Sequence, residues 1–187
     1  MRVGLYFGSF NPIHHGHLII AQFVLNQSDL DEIWFVVSPQ NPLKQVRDLF
    51  DEKDRLNMVN LAIKNQPRFK GSDIEFDLPR PSYTYNTLQK LKEDSPENEY
   101  VIIMGSDNLV HFDKWKEHEK ILLEHEMIVY NRDTQIGGDF AKNQKVRIIK
   151  GPILNISAQQ IRGYMRMGKS VKYFVPEPVE EYLKKLS

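Results

Sequence analysis

The stretch Arg2-Val3-Gly4-Leu5-Tyr6-Phe7-Gly8-Ser9-Phe10-Asn11-Pro12-Ile13-His14-His15-Gly16-His17-Leu18 decides how the rest of this sequence is read. Its first part, Val3 to Phe7, is a short continuous apolar run, the pattern of a strand buried on both faces in a parallel sheet. The run breaks at Gly8-Ser9, and three histidines then surround Gly16. A hydrophobic core has little use for that many imidazoles, so the turn reads as a site for a charged ligand. A helix from about Gly16 to Gln27 would aim the positive end of its dipole at the same spot. His14 then lies just before that helix and His17 in its first turn, both facing a phosphate at the helix end. Neutral or cationic, each ring has an N–H to donate to a phosphate oxygen. Small residues at Gly8 and Ser9 are expected to let backbone N–H groups approach the ligand closely.

Blander readings compete. A lone histidine near a helix start is usually a cap or a surface residue, but three after a Gly-Ser strand end are poorly explained that way. Zinc fits weakly, because the outer histidines are three apart with no cysteine and no Glu-rich helix nearby. Neither the Gly-Lys-Ser/Thr of a Walker phosphate loop nor the Gly-x-Gly-x-x-Gly dinucleotide turn is present here.

Outward from this stretch, strand and helix patterns alternate. Strands are expected at 33–37, 71–76, 100–104, 127–130 and 146–149, and helices at 51–64, 84–92, 157–167 and 178–186. That alternation predicts an α/β, Rossmann-like, doubly wound parallel sheet with helices on both faces. In such folds ligands sit beyond the carboxyl ends of the strands, where the loops 38–50 and 77–83 fall. Residues 132–145 read as a surface excursion.

The chain has 187 residues, and 25 basic side chains balance 25 acidic ones. The length suits one domain over 1–187, and 41% apolar residues are enough for a core. Charge neutrality argues against a dedicated nucleic-acid binder, but not against a phosphorylated small molecule. The absence of cysteine excludes disulfides, thiolate metal sites and cysteine nucleophiles. No apolar stretch approaches the roughly 20 residues of a membrane span, and the first strand is too short for a signal-peptide core. A cytoplasmic location is the simplest expectation, with no membrane partner; a homo-oligomer is left open.

Three further stretches carry chemistry. In Ile156-Ser157-Ala158-Gln159-Gln160-Ile161-Arg162, Ser157 and Gln160 have the spacing of a capping box. The same capped helix start presents free N–H groups, and with Arg162 it makes a second anion site. Lys44, at the end of Pro39-Gln40-Asn41-Pro42-Leu43-Lys44, reads by itself as a solvated loop lysine. In Arg80-Pro81-Ser82-Tyr83-Thr84-Tyr85-Asn86-Thr87-Leu88, Thr84 is as readily a helix N-cap as a ligand contact. Gly105-Ser106-Asp107 follows a strand, and Trp115 lies on a charged loop, either as core or as a platform for a flat ring.

With these residues in view, the chain resembles the nucleotidyltransferase superfamily, whose hallmark is His-x-Gly-His after the first strand. Within it, the chain is most similar to the bacterial nicotinate-nucleotide adenylyltransferase family, over essentially the full length. The resemblance implies adenylyl transfer from ATP to nicotinate mononucleotide, giving the dinucleotide and pyrophosphate in NAD biosynthesis. Catalysis would fall to His14, His17, Lys44 and Arg162. ATP would be bound by Gly8, Ser9, Phe10, Gly105, Asp107, Ile156 and Ser157 together with His14, His17 and Arg162, the C-terminal helices from about 157 to 187 completing that site. The second substrate would be bound by Asn11, Lys44, Tyr83, Thr84 and Trp115, the tryptophan stacking on the pyridine ring. Mg²⁺ would arrive on the triphosphate, with no dedicated protein metal site. Four positions depart from the family pattern: Asn11 and Asn86 stand for aspartates, Leu43 for a histidine and Gln159 for a threonine. The alternatives are another acceptor (phosphopantetheine or nicotinamide mononucleotide) or a non-catalytic nucleotide sensor on the same fold.

Overall fold

Six strands lie parallel in a single sheet of the computed structural model, which describes residues 1–40, 49–131 and 138–186. They are β1 (Arg2–Gly8), β2 (Glu32–Val37), β3 (Phe69–Ser72), β4 (Glu99–Gly105), β5 (Met127–Asn131) and β6 (Val146–Lys150). Their spatial order is β3-β2-β1-β4-β5-β6. The chain starts in the middle, winds outward to β3, then crosses back to β4 on the other side of β1. The reversal between β1 and β4 is a topological switch point, and it leaves a crevice at the carboxyl ends of those strands. Tyr6 pairs with Ile103 just below it.

Side chains alternate along each strand, so a run that is apolar throughout feeds two cores. Val101 and Ile103 face one layer, packed with Ile20 and Val24 of α1 (His15–Asn26) and Met58 and Val59 of α2 (Glu52–Ile63). The same layer takes Ile161 of α6 (Ala158–Arg166) and Val179 and Leu183 of α7 (Glu177–Leu186). Ile102 and Met104 face the other layer, with Leu88 of α3 (Thr84–Asp94), Leu109 of α4 (Ser106–Val110) and Ile121 of α5 (His118–Glu124). The doubly wound sheet expected from the sequence is the one observed.

Three expectations are corrected. The third strand is Phe69–Ser72 rather than 71–76; after it the chain turns, Phe76 N–H donating to Asp73 O at 2.8 Å, and Phe76 reaches the core from that turn. Helices α4 and α5 were not expected, because five and seven residues are too few to display a period. Within the excursion, residues 132–137 lie outside the described residues, but Asp139–Lys142 forms a 3-10 turn. That turn is anchored by the Phe140 ring standing edge-on to Phe112, centroids 5.3 Å apart.

At the end of the sheet away from the crevice, Arg2 pairs with Asp29, Glu99 and Glu126, drawing three strand and loop starts together. α7 is fastened to α2 by the Tyr182 hydroxyl, which donates to Asp54 Oδ1 at 2.8 Å.

Gly4 lies in the middle of β1, where an added Cβ would meet Ile103 Cδ1 and Leu30 Cδ1 at 2.7 Å. Gly4→Val therefore overpacks the layer under α1, and we expect a loss of about 2 kcal/mol, read as a lower urea midpoint at unchanged slope.

Candidate active site

A cleft of about 720 Å³ opens at the switch point. It is lined from the β1 turn by Gly8, Ser9, Phe10, Asn11, His14 and His17, and from the end of β4 by Gly105 and Asp107. Tyr83, Thr84 and Trp115 line it too, as do Ile156, Ser157 and Arg162. These are all the site residues expected from the sequence except Lys44, which lies outside the described residues.

The histidine turn is built from its glycines. His14 has extended backbone angles and is the N-cap of α1; His17 is in the first turn. The two imidazoles stack, with centroids 3.7 Å apart and planes 25° apart. A Cβ on Gly16 would fall 2.9 Å from the His14 ring, so glycine there makes room for this stack. The His14 N–H donates to His17 Nδ1 at 3.3 Å, which assigns Nδ1 as an acceptor and puts the proton of neutral His17 on Nε2.

Gly8 has a different purpose from the one expected. A Cβ there would lie 2.8 Å from the Phe10 ring, so its smallness admits Phe10 rather than a ligand. Phe10 takes a positive φ of 44°, is buried, and stands edge-on to His17 at 5.1 Å. Its aromatic wall holds the imidazole in place.

Asn11 is buried and works as a tie. Its side-chain oxygen accepts from Phe50 N at 3.0 Å, and its backbone oxygen accepts from Arg162 Nη1 at 2.7 Å. The second bond joins α6 to the β1 turn across 151 residues of sequence. The His15 N–H, donating to Phe174 O at 3.0 Å, makes a parallel link to the C-terminal segment.

Arg55 is the residue that sequence reasoning missed. It lies on α2 and is 1% exposed. Its Nε donates to Phe50 O at 3.0 Å, Nη1 to Ser9 O at 2.7 Å and Ser38 O at 2.8 Å, and Nη2 to Pro39 O at 3.2 Å. One guanidinium thus closes the loop after β1, the loop after β2 and the start of α2 onto each other. Burial presses its pKa down, but a guanidinium stays charged. Its signal in the sequence is its position: it is one turn before Val59 and three residues before Met58, on the apolar stripe.

In the cleft wall formed at the start of α3, Tyr83 rather than Thr84 is the N-cap, and Thr84 is the first residue of the helix. The N-cap reading of Thr84 is therefore set aside. Lys116 Nζ sits 5.2 Å from the Tyr83 ring centroid and donates to Asn86 Oδ1 at 3.2 Å, pinning the two walls together. Half-buried Trp115 rests on Phe112, centroids 5.4 Å apart, and also lines the cleft. Asp107 folds back over Gly105, where a Cβ would meet its Oδ1 at 2.3 Å. Glu75 is buried in the same wall; burial pushes its carboxyl up, against smaller opposing effects of the Thr87, Ser38 and Ser82 hydroxyls.

Ser157 caps α6, its Oγ accepting from Gln160 N at 3.2 Å. The helix begins at Ala158, and the box is completed on one side only, because Gln160 Nε2 donates to Tyr164 Oη at 3.2 Å. The starts of α1 and α6 thus converge with Arg162 at the cleft, an arrangement suited to a polyanion, while Trp115 in its lining is suited to a flat ring.

Residues 5–164 match the model of the family described as cytidylyltransferase-like. A protein of Cytophaga hutchinsonii named "Probable nicotinate-nucleotide adenylyltransferase" is 47% identical over 98% of this chain and 95% of its own length. One of the same name from Flavobacterium psychrophilum is 48% identical over 98% and 96%. Among solved structures, Plasmodium falciparum nicotinic acid mononucleotide adenylyltransferase complexed with NaAD superposes with a TM-score of 0.84 at 25% identity, covering 99% of this chain and 95% of that one.

Arg55→Ala leaves four carbonyl oxygens without their donor, those of Ser38 and Pro39 in buried settings and those of Phe50 and Ser9 in part-buried ones, and opens a cavity. We expect a loss of about 4 kcal/mol in urea denaturation. Arg55→Lys is expected to recover less than half of it, because an ammonium cannot reproduce the planar fork.

Proposed function

This chain belongs to the nicotinate-nucleotide adenylyltransferase family, and we propose that it transfers the adenylyl group of ATP to nicotinate mononucleotide, forming the dinucleotide and pyrophosphate. The observation that carries this reading is a single cleft lined by two unlike sets of groups, the stacked His14–His17 pair at a helix start and the Trp115 and Thr84 side chains. The first set suits a triphosphate and the second a planar aromatic ring.

The chemistry is an in-line displacement. A phosphate oxygen of nicotinate mononucleotide attacks the α-phosphorus of ATP; the new P–O bond forms as the bond to the bridging oxygen breaks, and pyrophosphate leaves with that electron pair. The protein supplies position and charge. His17, with its proton on Nε2, donates to a phosphate oxygen, and His14 is fixed beside it by the stack. Arg162, tied to the β1 turn through Asn11, brings a guanidinium to the pole shared with Ser157 and Ile156. Lys44 is assigned to the same pole from the family resemblance alone, since it lies outside the described residues. Gly8, Ser9, Phe10, Gly105 and Asp107 shape the floor on which the adenosine portion is bound. Mg²⁺ enters on the triphosphate as part of that substrate. Asn11, Tyr83, Thr84 and Trp115 belong to the acceptor side.

In this reading residues 1–187 work as a single nucleotidyltransferase domain in the cytoplasm, with 157–187 closing the ATP end. No described helix is long and apolar enough to cross a membrane.

Two outcomes test the reading. His17→Ala should fold normally yet turn over roughly a hundredfold more slowly, the usual cost of one preorganised donor to developing charge; near-wild-type turnover would remove His17 from the mechanism. Wild type should prefer nicotinate over nicotinamide mononucleotide by on the order of a hundredfold in kcat/KM, because donors facing a ring carboxylate leave an amide NH₂ unpaired. Equal use of both would show that the acceptor end is not built from donors.

A further inference from the structure

Trp115 has little regular structure of its own to hold it. It closes the short 3-10 turn Phe112–Lys114, its N–H donating to Phe112 O at 3.0 Å. The chain then bends at Glu117, whose φ of 54° is uncommon for a residue with a side chain, before α5 starts at His118. Phe112 backs the indole, but this local structure does not by itself set how far the indole stands from the start of α3, which also lines the cleft. Contacts between the two segments do that. Lys116 Nζ donates to Asn86 Oδ1 at 3.2 Å and lies 5.2 Å from the Tyr83 ring centroid. One turn further on, Lys120 Nζ, paired with Glu117 Oε2 at 2.8 Å, lies 5.6 Å from the Tyr85 ring centroid. Among the described residues, the Lys116–Asn86 bond is the one hydrogen bond between residues 115–120 and the first turn of α3. Lys116 is exposed, and an exposed contact of this kind adds little to stability. The fold has small use for it; its place between two cleft-lining segments gives it another.

We propose that Lys116 is a positioning residue for the acceptor: through Asn86 and the Tyr83 ring it sets the spacing between the Trp115 segment and the start of α3, and so the width of the slot that takes the acceptor's planar ring. The inference rests on the proposed activity and deepens it by naming what holds the ring's platform in place. Lys116 acts through its neighbours and not by meeting the nucleotide, because its ammonium is already engaged, one N–H on Asn86 and its charge against the Tyr83 ring. Aromatic rings attract one another only over a narrow range of separations, so a slack tie costs affinity for the ring. The cost falls on the acceptor alone, since His14, His17 and Arg162, assigned to the triphosphate, are carried at α1 and α6.

The test is steady-state kinetics of wild type, Lys116→Met, Lys116→Arg, Asn86→Leu and the double variant Lys116→Met/Asn86→Leu, with nicotinate mononucleotide and ATP varied in turn and a thermal melt for each. Lys116→Met should raise the KM for nicotinate mononucleotide about fivefold and Asn86→Leu about threefold, with the ATP KM and the melting temperature unchanged. Lys116→Arg keeps a cation for the ring and a donor for Asn86, and should restore most of the loss. The double variant should be no worse than Lys116→Met, because both changes remove one link. Losses that multiply, or a silent Asn86→Leu beside a damaging Lys116→Met, would mean that the ammonium meets the nucleotide itself, and overturn the positioning role. An Arg variant no better than Met overturns it as well, as does a Lys116→Met that shifts both KM values or neither. A second readout comes from fluorescence. The chain has two tryptophans, and Trp34 lies in β2 with its Nε1 donating to Glu32 Oε2 at 2.8 Å, outside the cleft lining. In a Trp34→Phe background, quenching of Trp115 by nicotinate mononucleotide should need a higher concentration once Lys116 is Met; an unmoved titration overturns the inference. A wild type that forms no dinucleotide overturns the proposed activity and this inference with it, whereas an active wild type beside silent variants overturns the inference alone.

Discussion

Arg55 places a full positive charge in the dry space between α2 and the ends of β1 and β2, and the cleft depends on how that charge is satisfied. Burying an unpaired ion costs several kcal/mol even after relaxation. No carboxylate pairs with this guanidinium in the hydrogen bonds described; four backbone carbonyl dipoles do the work instead, those of Ser9, Ser38, Pro39 and Phe50. All four belong to segments that a parallel sheet leaves without ladder partners. The cation that the loops must satisfy is therefore also the group that satisfies the loops. A second tier builds on it, since Phe50 N–H reaches back to Asn11 and the Asn11 carbonyl takes Arg162. Through that chain helix α6, distant in sequence, is brought to the turn that carries the histidines.

The histidine pair shows the same economy at smaller scale. Gly16 lacks a Cβ so that His14 has somewhere to lie, and Gly8 lacks one so that Phe10 can stand against His17. The stack leaves little rotational choice to either ring, and the His14 backbone N–H selects the His17 tautomer. In the proposed reaction, a donor fixed in this way needs no reorganisation as negative charge grows on the phosphates, which is where preorganised sites gain most over water. The residues between the histidines are thus as much a part of the site as the imidazoles.

Much of this was legible in the sequence, for physical reasons that also mark where reading stops. Strands buried on both faces appear as unbroken apolar runs, so β1, β2 and β4 stood out; β3 did not, because Phe69–Ser72 holds a single core residue and the more apolar Ile74 and Phe76 pack from a turn. Helices of five or seven residues leave no period to detect, which hid α4 and α5. At the cleft, the conspicuous residues are those whose type is odd for their setting: histidines at a strand end, a tryptophan among charges. Arg55 and Glu75 are of ordinary type in ordinary places, Glu75 sitting between Asp73 and Asp77 like any solvated acid. Only burial distinguishes them, and burial belongs to the fold as a whole. The purpose of Gly8 was hidden likewise, because an absent Cβ does not reveal what fills its space.

In the proposed reaction the cleft brings two nucleotides together for direct transfer, with no protein group taking the adenylyl moiety in between. ATP labelled in its α-phosphate, incubated with the protein and nicotinate mononucleotide, tests it most directly. With direct transfer, the label appears in the dinucleotide in equal amount to the pyrophosphate released, and denatured protein carries none at any time. Label retained on the protein, or label accumulating as free AMP while the mononucleotide is left unconsumed, would contradict it.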